Sequence, residues 1–186
     1  MVFNLPNALT WIRIIAIPLV VIVFYLPVSW AGPAAGLLFA LAGITDYFDG
    51  YLARKLGQTS RFGAFLDPVA DKLIVATALV LIVERDPQMY LALVAAIIIG
   101  REITVSALRE WMSEIGASAK VAVTFFGKWK TTAQIVGISM MLFEQPLGPL
   151  NTYMVGMVLL FIAAGLTIFS MFDYLRSAWP TLRDNS

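Results

Sequence analysis

Four aspartates interrupt an otherwise apolar part of the chain, and their types and spacing are suited to metal-dependent chemistry. They are Asp46, Asp49, Asp67 and Asp71. Ionised carboxylates are costly in or near hydrocarbon, so a cluster of them usually marks a functional site. Divalent cations would offset that cost, because carboxylate oxygens are the ligands that Mg²⁺ and Mn²⁺ prefer. The cluster therefore predicts metal-dependent chemistry at a membrane.

Helical geometry would bring the four carboxylates together. On one predicted helix, an arc of about 140° contains Asp46, Asp49, Gly50, Ala53 and Arg54, and on the next an arc of about 80° contains Gly63, Asp67 and Asp71. Small residues and one arginine share these faces: Gly50, Ala53, Arg54 and Gly63. The link at about 55–62 is short, so the two helices should run antiparallel with converging acidic faces. Four carboxylates are more than one Mg²⁺ ion normally binds in a protein, so two ions are expected. A pair of ions about 3.5–4 Å apart suits phosphoryl displacement.

The composition indicates a helical membrane protein. Of the 186 residues, 60% are apolar and 13% are charged, and the mean hydropathy is +0.82. A membrane-spanning helix needs roughly 20 mostly apolar residues. Six stretches approach this length: 8–27, 33–53, 64–83, 88–108, 126–144 and 150–174. We therefore predict an all-α integral membrane protein with six transmembrane helices.

The short links between these stretches predict one catalytic domain over residues 1–186. Residues 1–7 are expected to form an interfacial lead-in, with Asn7 as the N-cap of the first span. Residues 177–186 are expected to form a cytoplasmic tail. Of the 13 lysines and arginines, only Arg85 falls at the other end of the spans. Positive residues favour the cytoplasmic side, so both termini and the aspartates are predicted to face the cytoplasm.

Two residue types are missing from the sequence, and this narrows the chemistry. The chain has no cysteine and no histidine. Thiolate nucleophiles, zinc sites of the Cys/His type and imidazole acid–base catalysis are thereby excluded. A general base must be a carboxylate, a lysine or a tyrosine. A direct in-line displacement is the simplest reaction that these residues would support.

The aspartate pattern resembles the signature of a known family, the CDP-alcohol phosphotransferases. The signature constrains eight positions across 26 residues, and this chain matches it without departure: Asp46-x2-Asp49-Gly50-x2-Ala53-Arg54-x8-Gly63-x3-Asp67-x3-Asp71. Three further segments are similar to bacterial members that use glycerol 3-phosphate as the acceptor. These segments are 4–13, 101–111 and 127–134. The resemblance thus extends over nearly the whole chain.

The resemblance implies a reaction and a set of site residues. CDP-diacylglycerol would donate its phosphatidyl group to the primary hydroxyl of glycerol 3-phosphate, giving phosphatidylglycerophosphate and CMP. The four aspartates would bind two Mg²⁺ or Mn²⁺ ions, and Asp71 would also be the catalytic base. Residues of the signature and of the first helix would bind CDP: Gly50, Ala53, Arg54, Gly63, Thr10 and Arg13. The resemblance further implies a homodimer in the bacterial inner membrane, with no nucleic-acid partner.

The acceptor phosphate requires cations at the cytoplasmic mouth of the site. Arg101 and Arg109 are separated by about 80° on a helix and can share a face, and arginine suits phosphate oxygens. Lys128 and Lys130 are the other candidates. These residues could instead set the orientation of the protein in the membrane or contact anionic lipid headgroups. Glu102 is expected to act as an ion-pair partner and not as a catalyst.

Two other functions remain open from the sequence. A relative in the same family could use serine, inositol phosphate or another alcohol, because the signature recognises the shared CDP moiety. A divalent-cation transporter would also place carboxylates in a membrane. The aspartates cluster towards one end of the predicted spans, however, and do not form a path through the bilayer. This distribution favours a bound polyanion over a passing cation.

Overall fold

The computed structural model describes the backbone of residues 5–56, 61–115 and 125–184. Side chains are described over 10–45, 66–115 and 129–172, and at Arg176. Across these described ranges the chain forms six α-helices. They are α1 Leu5–Phe24, α2 Ala31–Leu56, α3 Arg61–Arg85, α4 Met89–Glu114, α5 Phe125–Phe143 and α6 Thr152–Asp184. Each contains most of one predicted apolar stretch, so the prediction of six helices is confirmed.

Both ends of the chain are more helical than predicted. Helix α1 begins at Leu5, so Asn7 lies inside its first turn and is not the N-cap. Pro6 explains the early start, because proline is tolerated in a first turn, where its missing N–H has no helical partner. Helix α6 continues to Asp184, and the predicted tail is helical from 177 to that residue. Intrinsic preference does not account for this continuation, because the segment contains Pro180 as well as alanine, leucine and arginine.

The helices pack in a closed ring that does not follow the order of the chain. Helix α1 contacts α2 and α3, α2 contacts α5, α5 contacts α6, α6 contacts α4, and α4 contacts α3. The order around the ring is therefore α1–α2–α5–α6–α4–α3. Helix α3 also reaches α2 and α5. This arrangement places α3 and α5 where both can line the interior.

Apolar side chains fill most of the interior of the ring. The largest of those that are fully buried are Phe39, Leu79, Leu91, Ile98, Met112, Ile138, Met141, Leu142 and Leu160. Helices α5 and α6 approach most closely at Gly137 and Gly156. A Cβ atom built on Gly156 would lie 2.6 Å from the carbonyl oxygen of Gly137. Glycine at these positions lets the two backbones meet.

At one end of the ring, polar side chains connect the loops. Arg85 Nη1 lies 2.6 Å from Glu144 Oε2, and its guanidinium carbon lies 4.0 Å from the centre of the Phe24 ring. The Tyr153 hydroxyl donates a 2.5 Å hydrogen bond to Asp86 Oδ2. Three interhelical connections are thereby linked at the end that carries Arg85.

The outer surface of the ring is apolar to an unusual degree. Large apolar side chains are more than half exposed on several helices, among them Ile15, Ile22, Leu37, Leu93, Ile103, Val158, Phe169 and Phe172. Among the residues with described side chains, two helical segments are long and apolar enough by themselves to cross a membrane: Met89–Glu114 and Thr152–Phe172, with mean hydropathies of 2.0 and 2.3 over 18-residue windows. Apolar surface of this extent marks contact with lipid or with other proteins.

Candidate active site

Two residues of α1 hold two aspartates of α3. Thr10 Oγ1 donates a hydrogen bond to Asp67 Oδ1, and Arg13 Nη1 donates one to Asp71 Oδ1. The aspartates are four residues apart, and the α1 residues are three apart, so each pair occupies one face of its helix on successive turns. Thr10 and Arg13 are almost completely buried, at 2% and 1% exposure. Arg13 therefore provides the positive charge beside Asp71 from within the protein.

Glu102 connects α4 with α5. Its Oε1 atom lies 3.6 Å from Arg101 Nη1 and 3.5 Å from Lys130 Nζ. Lys130 is buried, and Arg101 also reaches α6, where Nη2 lies 3.5 Å from Ser170 Oγ. The prediction that Glu102 acts as an ion-pair partner is confirmed, with a second partner that the sequence did not reveal. These contacts fix Arg101 and Lys130 on one side of the ring interior.

A cationic cavity of about 260 Å³ lies between α3, α4 and α5. Its charged lining residues are Asp71, Lys72, Arg101, Glu102, Arg109 and Lys130. Four basic side chains face two carboxylates there, which gives the lining a formal surplus of two positive charges. Thr131 and Ser106 add hydroxyl groups. A cavity of this charge and size is suited to a small dianion.

An inner cavity of about 200 Å³ adjoins the cationic cavity. The two share part of their walls, formed by Asp71, Arg101, Glu102 and Thr131. Beyond this boundary, the inner cavity is lined by Arg13, Gln134 and an apolar group: Phe39, Ala42, Gly43, Ile74, Val75 and Ile135. Asp71 therefore belongs to the walls of both cavities.

The structure brings seven of the predicted site residues to one end of the ring. Asp67, Asp71, Thr10 and Arg13 meet across α1 and α3, while Arg101, Arg109 and Lys130 line the cationic cavity. The remaining predicted residues have a described backbone but lie outside the described side chains: Asp46, Asp49, Gly50, Ala53, Arg54, Gly63 and Lys128. Within the described side chains, Asp, Glu, His and Cys form no group of three or more.

The path of α2 is nevertheless informative about the first two aspartates. Ala42 and Gly43 line the inner cavity, and Asp46 follows Ala42 by four residues on the same helix. Residues four apart on a helix occupy neighbouring turns of one face. The backbone of α2 thus leads from the inner cavity towards the positions of Asp46 and Asp49.

Sequence reasoning gave no role to Gln134, which the structure places in the inner cavity. Gln134 is 3% exposed and lies four residues after Lys130 on α5. That spacing puts the two side chains on one helical face. The signal available in the sequence was therefore a polar residue one turn from a candidate phosphate-binding lysine, within an apolar helix.

The fold and the site together define a helical protein with a cationic cavity at one end of its bundle. The combination of paired aspartates, a buried arginine beside them and an adjoining cationic cavity is suited to reactions of phosphate esters. The chain belongs to the CDP-alcohol phosphatidyltransferase family, whose model matches residues 3–169. It is accordingly a membrane protein, in keeping with its apolar outer surface.

Several relatives align with the chain over nearly its full length. The protein of Haemophilus influenzae is 52% identical over 187 residues, which cover 100% of this chain and 98% of the relative. The proteins of Escherichia coli and Shigella flexneri are each 50% identical over 186 residues, covering 99% of this chain and 100% of the relative. All three are named CDP-diacylglycerol--glycerol-3-phosphate 3-phosphatidyltransferase.

Proposed function

We propose that this chain transfers the phosphatidyl group of CDP-diacylglycerol to glycerol 3-phosphate in phosphatidylglycerol biosynthesis. The products are phosphatidylglycerophosphate and CMP. Identity of 50% or more over the full length with three transferases of that name supports the assignment. The observation that carries it within the structure is the position of Asp71, which lines both the cationic and the inner cavity.

The bond changes in this reaction are those of a displacement at phosphorus. The primary hydroxyl oxygen of glycerol 3-phosphate forms a bond to the phosphatidyl phosphorus, and the bond from that phosphorus to the CMP oxygen breaks. Asp71 takes the proton from the attacking hydroxyl. General-base assistance of this kind contributes about 10²–10⁴-fold to rate. Arg13, which donates to Asp71 Oδ1, fixes the direction in which the carboxylate faces.

The donor chemistry of the site fits a pair of Mg²⁺ or Mn²⁺ ions. Asp67 and Asp71 present oxygen atoms from successive turns of α3, and both are partly exposed. Oxygen donors of this kind suit hard divalent cations. We assign the metal-binding role to these two residues together with Asp46 and Asp49. When bound, the ions would neutralise the diphosphate and the charge that develops on the leaving CMP.

Thr10 and Arg13 are predicted to contact CDP, and their positions suggest an additional role. Both are held against the aspartates of α3 by hydrogen bonds. Side chains that orient metal ligands are often as important for metal affinity as the ligands themselves. The rest of the CDP site is proposed to be formed by Gly50, Ala53, Arg54 and Gly63.

The acceptor is proposed to bind with its phosphate in the cationic cavity. The formal surplus of two positive charges in its lining matches the charge of a phosphate monoester dianion. Arg101 is positioned by Glu102 and Ser170, and Lys130 by Glu102. Arg109 lies at the exposed side of the same cavity. Lys128, two residues before Lys130, is included in this group on the sequence pattern alone.

Replacing Arg109 tests the position of the acceptor phosphate. Arg109→Gln should raise the KM for glycerol 3-phosphate with little change in kcat, because it removes a charge that contacts only the non-reacting phosphate. We expect an increase of about 10-fold, the size of one charge-assisted hydrogen bond. The control is Arg176→Gln on α6, which is exposed but does not line the cavity. Equal KM values for the two variants would remove Arg109 from the acceptor site.

The arrangement in the membrane is also a proposal. All six helices are proposed to span the bilayer, with the Asp71 end in the cytoplasm, and the protein is proposed to form a homodimer in the inner membrane. The distribution of charge supports the orientation. Arg13, Arg101, Arg109 and Lys130 occupy the site end, whereas Arg85 pairs with Glu144 at the opposite end.

The decisive experiment measures CMP release from CDP-diacylglycerol by the purified protein, with and without glycerol 3-phosphate and Mg²⁺. Release should require both additions and disappear in Asp71→Asn. Asp86→Asn is the matched control, because Asp86 lies at the far end of the bundle. CMP release that occurs only with another alcohol would support the same reaction type but exclude glycerol 3-phosphate as the acceptor. Full activity in Asp71→Asn would exclude the role of Asp71.

A further inference from the structure

Gln134 has a buried side-chain carbonyl group without a hydrogen-bond partner among the described residues. The side chain is 3% exposed and lines the inner cavity. Leaving a buried carbonyl without a donor costs free energy. Such groups are rare in folded proteins and call for an explanation. A ligand that donates a hydrogen bond would provide one.

The surroundings of Gln134 restrict what that ligand can be. The inner cavity is lined in part by apolar side chains, among them Phe39, Ile74 and Ile135. It shares the wall formed by Asp71 and Arg101 with the cationic cavity. The lining of the inner cavity includes two arginines, Arg13 and Arg101, and two carboxylates, Asp71 and Glu102, so it has no formal surplus of charge, whereas the cationic cavity has a surplus of two positive charges. A phosphate dianion is therefore favoured in the cationic cavity, and a small uncharged group that donates a hydrogen bond is favoured beside Gln134. A hydroxyl group fits this description.

We propose that Gln134 Oε1 accepts a hydrogen bond from the secondary hydroxyl of the acceptor and thereby selects acceptors that carry it. The inference rests on the proposed function, in which the acceptor presents its primary hydroxyl to Asp71. The secondary hydroxyl is on the adjacent carbon. With the primary hydroxyl at the junction of the two cavities and the phosphate in the cationic one, the secondary hydroxyl can face the inner cavity and Gln134. Gln134 is thus a specificity-determining residue and a positioning residue.

The test compares glycerol 3-phosphate with 3-hydroxypropyl phosphate, which has the same chain and phosphate but no secondary hydroxyl. Sites built to bind a hydroxyl discriminate strongly against analogues that lack it. For the wild-type protein, kcat/KM should favour glycerol 3-phosphate by at least about 100-fold. Gln134→Met, which keeps the size of the side chain and removes its carbonyl, should reduce this preference to below about 10-fold. Most of that change should come from a lower kcat/KM for glycerol 3-phosphate.

Two further variants separate recognition from folding. Gln134→Glu retains an acceptor oxygen, so the preference should persist even where added negative charge lowers activity with both acceptors. Gln145→Met makes the same substitution at the far end, where Gln145 is exposed and donates to the Ser29 carbonyl oxygen. It should keep the wild-type preference. Calorimetry without CDP-diacylglycerol provides a second readout, because glycerol 3-phosphate should bind more tightly than its analogue to the wild type and to Gln145→Met but not to Gln134→Met.

The outcomes distinguish this inference from the proposed function. A wild-type protein that uses both acceptors equally, or a Gln134→Met variant that keeps the full preference, would overturn the role of Gln134. Loss of the preference in Gln134→Glu as well would also contradict it, since an acceptor oxygen remains there. Absence of CMP release with either acceptor would instead refute the proposed function. If Gln134→Met fails to fold, the wild-type comparison and Gln134→Glu still decide the question.

Discussion

Arg13 on α1 donates a hydrogen bond from Nη1 to Oδ1 of Asp71 on α3, although 58 positions separate the two residues in the chain. The arginine side chain is 1% exposed and the aspartate side chain 38% exposed. A buried guanidinium thus holds a partly exposed carboxylate that lines both cavities. This arrangement orients the proposed catalytic base and leaves it accessible to a substrate.

Removing Arg13 should impair catalysis more than it impairs folding. In Arg13→Ala we expect kcat to fall by at least about 100-fold, because misplacing a reacting group by about 1 Å can cost that factor. Stability should fall as well, but by less than for a fully buried pair, since Asp71 is partly solvated. The measurements are CMP release and the thermal midpoint in detergent. The control, Arg176→Ala, removes an exposed arginine of α6, and equal activity of the two variants would contradict the prediction.

Thr10 should influence metal binding through Asp67. Thr10→Val keeps the shape of the side chain but removes the hydroxyl that donates to Asp67 Oδ1. Loss of a hydrogen bond to a metal-binding side chain typically weakens metal affinity by about 10- to 100-fold. We expect a corresponding rise in the Mg²⁺ concentration needed for half-maximal CMP release and for the Mg²⁺-dependent increase in thermal midpoint. Thr10→Ser retains the hydroxyl and should resemble the wild type, and an unchanged Mg²⁺ requirement in Thr10→Val would refute this role.

The proposed orientation can be measured with single cysteines, because the native chain contains none. Ser29 is exposed at the far end, and Arg176 is exposed near the site end of α6. A membrane-impermeant maleimide added to right-side-out vesicles should label Ser29→Cys. Arg176→Cys should react only after the membrane is permeabilised, because positive residues favour the cytoplasmic side. The reverse labelling pattern would place the site on the outer face of the membrane.

Close packing of α5 on α6 should make Gly156 intolerant of a methyl group. A Cβ atom there would lie 2.6 Å from Gly137 O and 2.8 Å from Met141 Cγ. Overpacking of this kind costs about 1–3 kcal/mol, so Gly156→Ala should lower the thermal midpoint. Gly165→Ala, on the same helix, meets no described atom within 4 Å and should leave the midpoint unchanged or slightly higher. A midpoint for Gly156→Ala at or above that of Gly165→Ala would show that the helices are not so tightly packed.

The contacts of Arg85 should stabilise the fold without contributing to the reaction. Arg85→Met removes the ion pair with Glu144 and the contact with the Phe24 ring. The combined loss should be about 1–2 kcal/mol, seen as a lower thermal midpoint. The kcat/KM of the folded enzyme should not change, because these residues lie at the end opposite Asp71. The control Glu84→Gln alters an exposed neighbouring charge and should affect neither the thermal midpoint nor kcat/KM. A large loss of activity in Arg85→Met would contradict the prediction, because it would show that the far end of the bundle influences the site.

Much of the fold could be predicted from local patterns. The six apolar stretches predicted the six helices, because hydropathy over about 20 residues depends only on the local sequence. The four-residue spacing of Asp67 and Asp71 predicted a shared helical face for the same reason. The ends were less predictable, as the early start at Leu5 and the continuation of α6 to Asp184 show. Helix ends depend on local capping and on neutral residues that hydropathy does not resolve.

The sequence by itself determined which helices form and which residue types they offer for chemistry. Carboxylates without cysteine or histidine restrict the reaction, and the aspartate spacing places two of the carboxylates on one face of α3. Only the tertiary structure decided that Arg13 meets Asp71, that Glu102 joins Arg101 to Lys130, and that Gln134 lies in the inner cavity. These contacts depend on the ring order α1–α2–α5–α6–α4–α3. That order results from complementary surfaces on helices distant in the chain, such as the close approach of Gly137 to Gly156, and helical periodicity carries no information about it.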